Sequence, residues 1–392
     1  MEPKLRFKEF NGDWEETILN KVCKINPKTK EIPDFFNYID LESVVDGRLL
    51  KENNLIDKKD APSRAQRLLK NNDVLYQTVR PYQKNNYYFD ISEKSIPYVA
   101  STGYAQLRAS KNDPKFIFQE IHNDVFVNAV LEKCTGTSYP AINSSDLGKV
   151  RFTLPSLPEQ TKIADFLSTV DEKIQNQQDK ITHLENIKKG FMQKIFSRKI
   201  IFKDANGNEF PEWEERKLSR ILKEGSKEKV DDTSQYRKIT VKLNLKGINF
   251  SEIKRDMVDK RPFYIRYKDE IIIGKQNYFN GSIAIVDEIF DGCICSNAIM
   301  SFKVIRENLK FVYFYLSQSS YIAKNAYLAN GTGQKELTEK DFLNMKIELP
   351  CLEEQQKIAD FLSSFDEKID VEKETLEHLK ELKKGLLQQM FV

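Results

Sequence analysis

Two short segments of this 392-residue chain carry side chains of the types that read nucleic-acid base edges. One is Arg80-Pro81-Tyr82-Gln83-Lys84-Asn85-Asn86-Tyr87; the other is Lys275-Gln276-Asn277-Tyr278-Phe279-Asn280. Arg or Lys pairs with guanine edges and Asn or Gln with adenine, each good bidentate contact being worth ~1–3 kcal/mol of discrimination. The candidates are therefore Arg80, Tyr82, Gln83, Lys84 and Asn85 in the first segment, and Lys275, Gln276, Asn277, Tyr278 and Asn280 in the second. A different chemistry suits the Gly/Thr turns Ser101-Thr102-Gly103-Tyr104 and Gly331-Thr332-Gly333-Gln334-Lys335. Backbone N–H groups and hydroxyls in such turns fit phosphate oxygens, which position a protein on DNA without reading sequence. Thr102, Tyr104, Thr332, Gln334 and Lys335 are the candidates there. Taken alone, either basic segment reads better as an ordinary solvated hairpin; the duplicated context is what favours base reading.

Other chemistry finds no foothold. Gly274-Lys275 runs into Gln276 without the upstream glycine loop of a nucleotide site, and Asn26-Pro27-Lys28 lacks the second proline and aromatic of an amino-methyltransferase motif. Serine elbows, dinucleotide glycine fingerprints and His-Glu-x-x-His are all missing. Cys293 and Cys295 lie in an apolar strand-like run with no histidine nearby, so they read as core residues and not as a zinc site. His183 and His378 sit on charged helix faces and read as solvated or helix-pairing residues, not as metal or acid-base groups. The paired carboxylates Asp171-Glu172 and Asp366-Glu367 read as helix support on charged faces.

The elements that must position the two basic segments come in duplicate. Each segment follows a short β-rich run, Asp73 to Val79 or Asp269 to Gly274. Leu157 to Phe196 recurs, about half identical, as Leu352 to Phe391. A repeat of so long a period implies duplication of a whole domain plus helix, not a solenoid unit. Upstream, Phe10-Asn11-Gly12-Asp13-Trp14-Glu15-Glu16 is echoed by Phe210-Pro211-Glu212-Trp213-Glu214-Glu215, and each helix follows a Leu-Pro pair, Leu154-Pro155 or Leu349-Pro350. Residues 20–130 and 219–325 show no such likeness. Matched frames holding unlike domains imply common mounting and different targets.

Inside the repeat, Ile163, Leu167, Val170, Ile174, Ile181, Leu184, Phe191 and Ile195 alternate at three and four, a heptad seam matched by Ile358, Leu362, Phe365, Ile369, Leu376, Leu379, Leu386 and Met390. Two equal seams in one chain are expected to pair. Polar or charged seam positions, Gln177 and Lys188 in one copy and Glu372 and Lys383 in the other, are the kind that set register. At ~1.5 Å per residue over some 36 residues, each helix would be roughly 55 Å long. Phe166, Ile187, Phe361 and Leu382 widen the apolar stripe beyond a two-stranded seam, and they read either as a docking face for partner helices or as packing against the neighbouring domain.

Composition sets wider bounds. An apolar share of 40% with 16 Tyr and 25 Phe describes a globular chain large enough for two or three cores. The net charge of +3 neither requires nor excludes nucleic acid, because a local basic face matters more than the total. The start Met1-Glu2-Pro3-Lys4 lacks a signal peptide's apolar stretch and no run of 18 apolar residues exists, so a cytoplasmic protein with no membrane contact is expected, its five cysteines reduced.

These features together resemble the specificity subunit of type I restriction-modification enzymes. The carrying residues are the Leu-Pro…Glu-Gln-x-x-Ile-Ala-x-x-Leu starts at Leu154 to Leu167 and Leu349 to Leu362, the Asp-Glu-Lys-Ile that follows each, the Lys-Lys-Gly near each helix end, and the openings at Trp14 and Trp213. Glu353 stands where the first copy has Pro158, which should alter only how the second helix begins. The resemblance implies an α+β chain with pseudo-twofold symmetry. Its parts would be a first target-recognition domain at 1–155, a central long helix at 156–198, a second target-recognition domain at 199–350 and a C-terminal helix at 351–392, the two helices packed as an antiparallel coiled coil. It also implies that the chain is not itself catalytic, each domain reading one half of a split, asymmetric double-stranded DNA site. Two methyltransferase subunits would dock on the helices, and nuclease subunits would translocate DNA. S-adenosylmethionine, ATP and Mg would be used by those partners and no cofactor bound by this chain. The rival expectation is a coiled-coil scaffold whose globular domains bind protein.

Overall fold

The computed structural model describes residues 2–45, 47–50, 54–90, 96–136, 138–251, 261–328 and 336–392. The chain divides into two compact units, Met1–Asp179 with Lys373–Val392, and Lys180–Glu372. Each long helix, Leu157–Phe196 and Leu352–Met390, therefore contributes to both.

In the first unit, Glu15–Ile18 pairs antiparallel with Arg151–Leu154, so the segment after Trp14 is zipped to the segment before the helix. A four-stranded antiparallel sheet follows the order Cys23–Ile25, Tyr104–Ala109, Asp73–Gln77, Tyr87–Phe89. A second sheet runs Leu55–Asp57, Phe35–Ile39, Tyr98–Ser101, Ala65–Leu68, with Phe35–Ile39 and Tyr98–Ser101 parallel.

The second unit repeats this plan in sequence that looks unrelated. Glu214–Lys217 pairs with Lys346–Leu349, and the antiparallel sheet runs Leu222–Glu224, Ile299–Val304, Glu270–Gly274, Ile283–Ile285, each strand in the place of its counterpart. What differs is the second sheet. Among the described residues it comprises Lys229–Val230, Phe263–Ile265 and Ile294–Ser296, beside a hairpin of Ile239–Val241 and Ile248–Phe250 and a parallel bridge from Lys238 to Ile294. The strand order is kept although the buried residues differ, DVLYQ against EIIIG in the central strand, because apolar side chains of similar volume can replace one another in a core.

The Glu-Gln of each helix start explains why that motif recurs. Glu159 is 2% exposed and accepts from Arg6 through both oxygens (2.8 and 2.9 Å) and from Trp14 Nε1 (3.4 Å). Glu354, 1% exposed, accepts from Arg198 and Trp213 Nε1, both at 3.0 Å. Gln160 and Gln355 each donate to the carbonyl five residues back, Pro155 or Pro350, at 2.9 Å, and accept from the backbone N–H of Asp113 or Asn308. Those last two residues in turn cap the helices Pro114–Glu120 and Leu309–Leu316. A buried carboxylate or amide is tolerated only with its bonds made, so each motif ties helix, tryptophan and domain into one joint.

The helical stretches run antiparallel within each unit. In the first, Ile163 and Leu167 share a core with Leu387, Met390 and Phe391, and Trp14 meets Phe391 edge-on at 6.3 Å. In the second, Ile195 lies with Ile358 and Leu362, and Phe191 meets Phe361 at 5.1 Å. The seam residues are buried or half-buried throughout, with Leu387 joining Leu386 and Met390 in the core. Both helices begin at the matching leucine, so Glu353 in place of Pro158 leaves the start unchanged. One expectation needs correcting. Asp171 and Asp366 are not merely solvated helix support: Asp171 pairs with Lys383, and Asp366 with Lys188, the charged seam position of the other helix. Among the described residues no helix is long and apolar enough to cross a membrane.

Candidate nucleic-acid interface

Each basic segment leaves a strand that is wholly buried, Asp73–Gln77 or Glu270–Gly274, whose first residue is an acid with no exposure. Asp73 accepts from Arg108 Nε and Nη2 and from Gln106 Nε2, each at 2.7 Å; Glu270 accepts from Ser301 Oγ at 2.7 Å and from the Ser226 N–H at 2.8 Å. These bonds pin one end of the strand and so aim the other. At that other end each segment forms one 3-10 turn, Pro81–Gln83 or Tyr278–Asn280.

In the first unit Arg80 opens the turn in the left-handed region (φ 53°), its N–H donating to Pro140 O at 2.7 Å. Its guanidinium lies 4.2 Å from the Tyr139 ring centroid, with Nε buried and unpartnered among the described residues. Contact with an aromatic face steadies the guanidinium in one position. Tyr82 is 49% exposed and Gln83 is exposed, its Oε1 accepting from Gln77 Nε2. Asn85 is half-buried and donates its N–H to Gln77 Oε1, and Thr102 donates its N–H to Arg64 O.

Two expected contacts turn inward. Lys84 Nζ donates to His122 O (2.8 Å) and Asp124 Oδ1 (2.7 Å), which holds the Asp124 carboxyl below its usual range. The Lys84 ammonium is therefore a brace for the loop. Tyr104 is fully buried with its hydroxyl toward Asp40 O, so it belongs to the core and offers no surface to a ligand. His122 supports the same loop: Nδ1 lies 2.6 Å from Phe118 O, and burial together with the nearby Lys383 charge pushes the ring's pKa down to about 4. Nothing in its sequence surroundings marks His122 or Tyr139 for these tasks.

In the second unit Gln276, Asn277 and Asn280 are exposed, Asn280 Nδ2 donating to Asn277 Oδ1 at 3.3 Å. Lys275 is tied to Glu339 at 3.4 Å, and Tyr278 is fully buried, donating to Leu316 O at 2.9 Å. Tyr278, like Tyr104, is thus a core residue. Thr332, Gln334 and Lys335 lie outside the described residues. Cys293 and Cys295 are buried, the latter beside Arg266 Nε at 2.9 Å, in the core position expected of them.

Of the apolar helix residues, Leu382 is 54% and Phe166 39% exposed, the latter edge-on to Phe7; Ile187 is half-buried. Phe361 does not stay free. It packs among Phe191 and Phe365 of the two long helices and Phe202 just beyond the first.

A family model described as the type I restriction modification DNA specificity domain matches the chain twice, over residues 11–186 and 211–381. The chain belongs to this family. Two curated relatives come from Methanocaldococcus jannaschii. The type I restriction enzyme MjaVIII specificity subunit is 25% identical over an alignment of 420 residues spanning 97% of this chain and 94% of the relative. The putative MjaX specificity subunit is 29% identical over 266 residues, 63% of this chain and 60% of that one. The fold agrees with a solved type I restriction-modification S subunit from M. genitalium (TM-score 0.56, 18% identity, 100% of this chain and 99% of that one). It agrees too with a chain from a structural study of type I complex assembly and conformational transition (TM-score 0.51, 20% identity, 96% and 97%). The two matches of the type I specificity domain coincide with the two repeats of sheet and helix, and DNA sequence recognition, not scaffolding, is the function the family carries.

Proposed function

We propose that each unit reads one half of a split, asymmetric DNA site, the first through Arg80, Tyr82 and Gln83 and the second through Gln276, Asn277 and Asn280. The observation that carries this reading is the pairing of a duplicated frame with unlike loops. The same strand, in the same sheet order, ends in an Arg-Tyr-Gln surface in one unit and a Gln-Asn-Asn surface in the other. Identical loops would suit a palindrome; different loops suit unlike half-sites.

In this reading the chain is a reader, and chemistry resides in partners: two methyltransferase subunits docked along the helices that bind S-adenosylmethionine and methylate adenine, and nuclease subunits that use ATP and Mg. The exposed Phe166 and Leu382 support a helix-docking role. Half-site separation, about one helical turn of DNA centre to centre as in other bipartite readers, is set by the long helices.

The test is an exchange. Replacing residues 219–325 with the matching segment of a family member of known site, in cells with the cognate methyltransferase, should change one half of the methylated motif and leave the other intact. A motif altered in both halves would refute one-unit, one-half reading.

A further inference from the structure

Resting on that reading, we propose that the hairpin tip Lys242–Gly247 is a second DNA-contacting element of the second unit, Asn244 meeting a base edge and Lys242 and Lys246 flanking phosphates. Nothing in its sequence pattern separates Lys242-Leu243-Asn244-Leu245-Lys246-Gly247 from an ordinary turn. The structure sets it apart in three ways.

The tip is strained and held. Asn244 (φ 58°) and Leu245 (φ 59°) are consecutive non-glycine residues in the left-handed region. A two-residue hairpin turn, here closed by the Lys246 N–H on Leu243 O at 3.3 Å, requires that pair, and leucine holds it only where the surroundings fix it. Here the fixing partner is the recognition turn itself: the Asn244 N–H donates to Asn280 O (2.7 Å) and the Leu245 N–H to Gly281 O (2.9 Å). Gly281 (φ 73°) permits the approach, since a Cβ there would stand 3.1 Å from Leu245 N and 3.2 Å from Asn244 Cα. Ser282 Oγ adds a bond to Val241 O at 3.2 Å. Tip and turn are one surface.

The tip also supplies what the turn lacks. With Lys275 paired to Glu339 and Tyr278 in the core, the turn presents amides but no free cation. Lys242 and Lys246 are exposed and, among the described residues, make no ion pair; the Asn244 side chain likewise has no partner. Two cations bracketing an amide form a phosphate–base–phosphate pattern of contacts.

In the first unit, finally, the strand that makes the parallel pairing, as Lys238 does in the second, ends in a turn of different chemistry. After Phe35–Ile39 the turn carries Asp40 and Glu42, and Asp40 Oδ1 is spent on the N–H and hydroxyl of Ser43. Among the described residues, that turn of the first unit, residues 40–43, carries no lysine pair like Lys242 and Lys246.

The experiment uses the full chain with its cognate methyltransferase subunits. Asn244→Gly removes the amide while glycine keeps the left-handed backbone; Lys242→Ala/Lys246→Ala removes the two charges. By long-read sequencing, Asn244→Gly should degenerate at least one position in the half-site assigned to residues 219–325 and none in the other. On a duplex carrying the motif, the double lysine variant should lower the slope of log affinity against log salt by roughly 2. An unaltered motif with Asn244→Gly overturns the base contact, and an unaltered salt slope overturns the phosphate contacts. If the unsubstituted chain directs methylation to no split motif, the reading beneath fails instead.

Discussion

Lys383 Nζ lies 2.6 Å from Asp171 Oδ1, joining the end of the second long helix to the first half of the first. The repeat reproduces the pair as Lys188 with Asp366. Seam lysines that would be costly in an apolar coil are thus each matched to the acid that opens the Asp-Glu-Lys-Ile motif of the other copy. Asp171 also accepts from Gln119 Nε2 at 2.7 Å, so in the first unit the pair ties the domain to both helices. Such pairs specify antiparallel register more than they add stability.

A double-mutant cycle on Asp171→Ala and Lys383→Ala should return a coupling of about 1 kcal/mol, the partners being 33% and 18% exposed. The measurement is urea denaturation of the full chain. The charge-swapped Asp171→Lys/Lys383→Asp should recover part of the loss, whereas strictly additive single variants would contradict a register role.

Stability should fall as pH rises from roughly 4.3 to about 8 because of Glu120. Burial pushes its carboxyl up to about 8, against roughly 4.3 in an unfolded chain. Between those values the folded chain holds the extra proton, so raising pH favours unfolding. His122 acts oppositely, since its ring falls to about 4 on burial and its contribution is lost as pH drops from roughly 6.5. Glu120→Gln should therefore match the unsubstituted chain near pH 4 and exceed it at pH 8 by on the order of a few kcal/mol. A pH-independent difference between the two would rule this out.

One turn of helix inserted within Asn176–Thr182, with a matching insertion in Glu372–His378, should lengthen the non-specific gap of the methylated motif without altering either half. The two sites face one another in the register that Lys180 and Glu372 share (2.6 Å). An unchanged gap in an active, folded variant would remove the helices as the ruler.

Arg80→Ala should relax one position of one half-site, costing about 1–3 kcal/mol of discrimination there. Tyr139→Leu should do the same more weakly, by unseating the guanidinium. A uniform loss of affinity with an intact motif would make Arg80 a phosphate contact. Lys275→Ala should leave the motif unchanged, because Glu339 already holds that ammonium.

The frame was legible in the sequence because its constraints are local and repeated. Heptads, Leu-Pro helix starts, and a Glu-Gln pair serving one tryptophan each leave marks at fixed spacing. The shared sheet was not legible, since its core face is filled by residues such as Val74 and Tyr76 in one unit and Ile271 and Ile273 in the other, whose identities are interchangeable apolar volumes. The loops were legible as residue types but not as directions. Tyr104 and Tyr278 carry the same side chain as Tyr82, and only the local backbone, a strand at Tyr104 and a turn at Tyr278, sends those two inward. Lys84 likewise looks like a reader until Asp124, forty residues on, is seen to hold it.

The central claim is that this chain supplies sequence specificity, and the most direct measurement is a genome-wide map of N6-methyladenine. It should be made in cells with the cognate methyltransferase subunit, with this gene present and then deleted. The account predicts a split motif of two unlike halves that vanishes on deletion and returns when the gene is restored. An unchanged map in cells whose methyltransferase is active would contradict it.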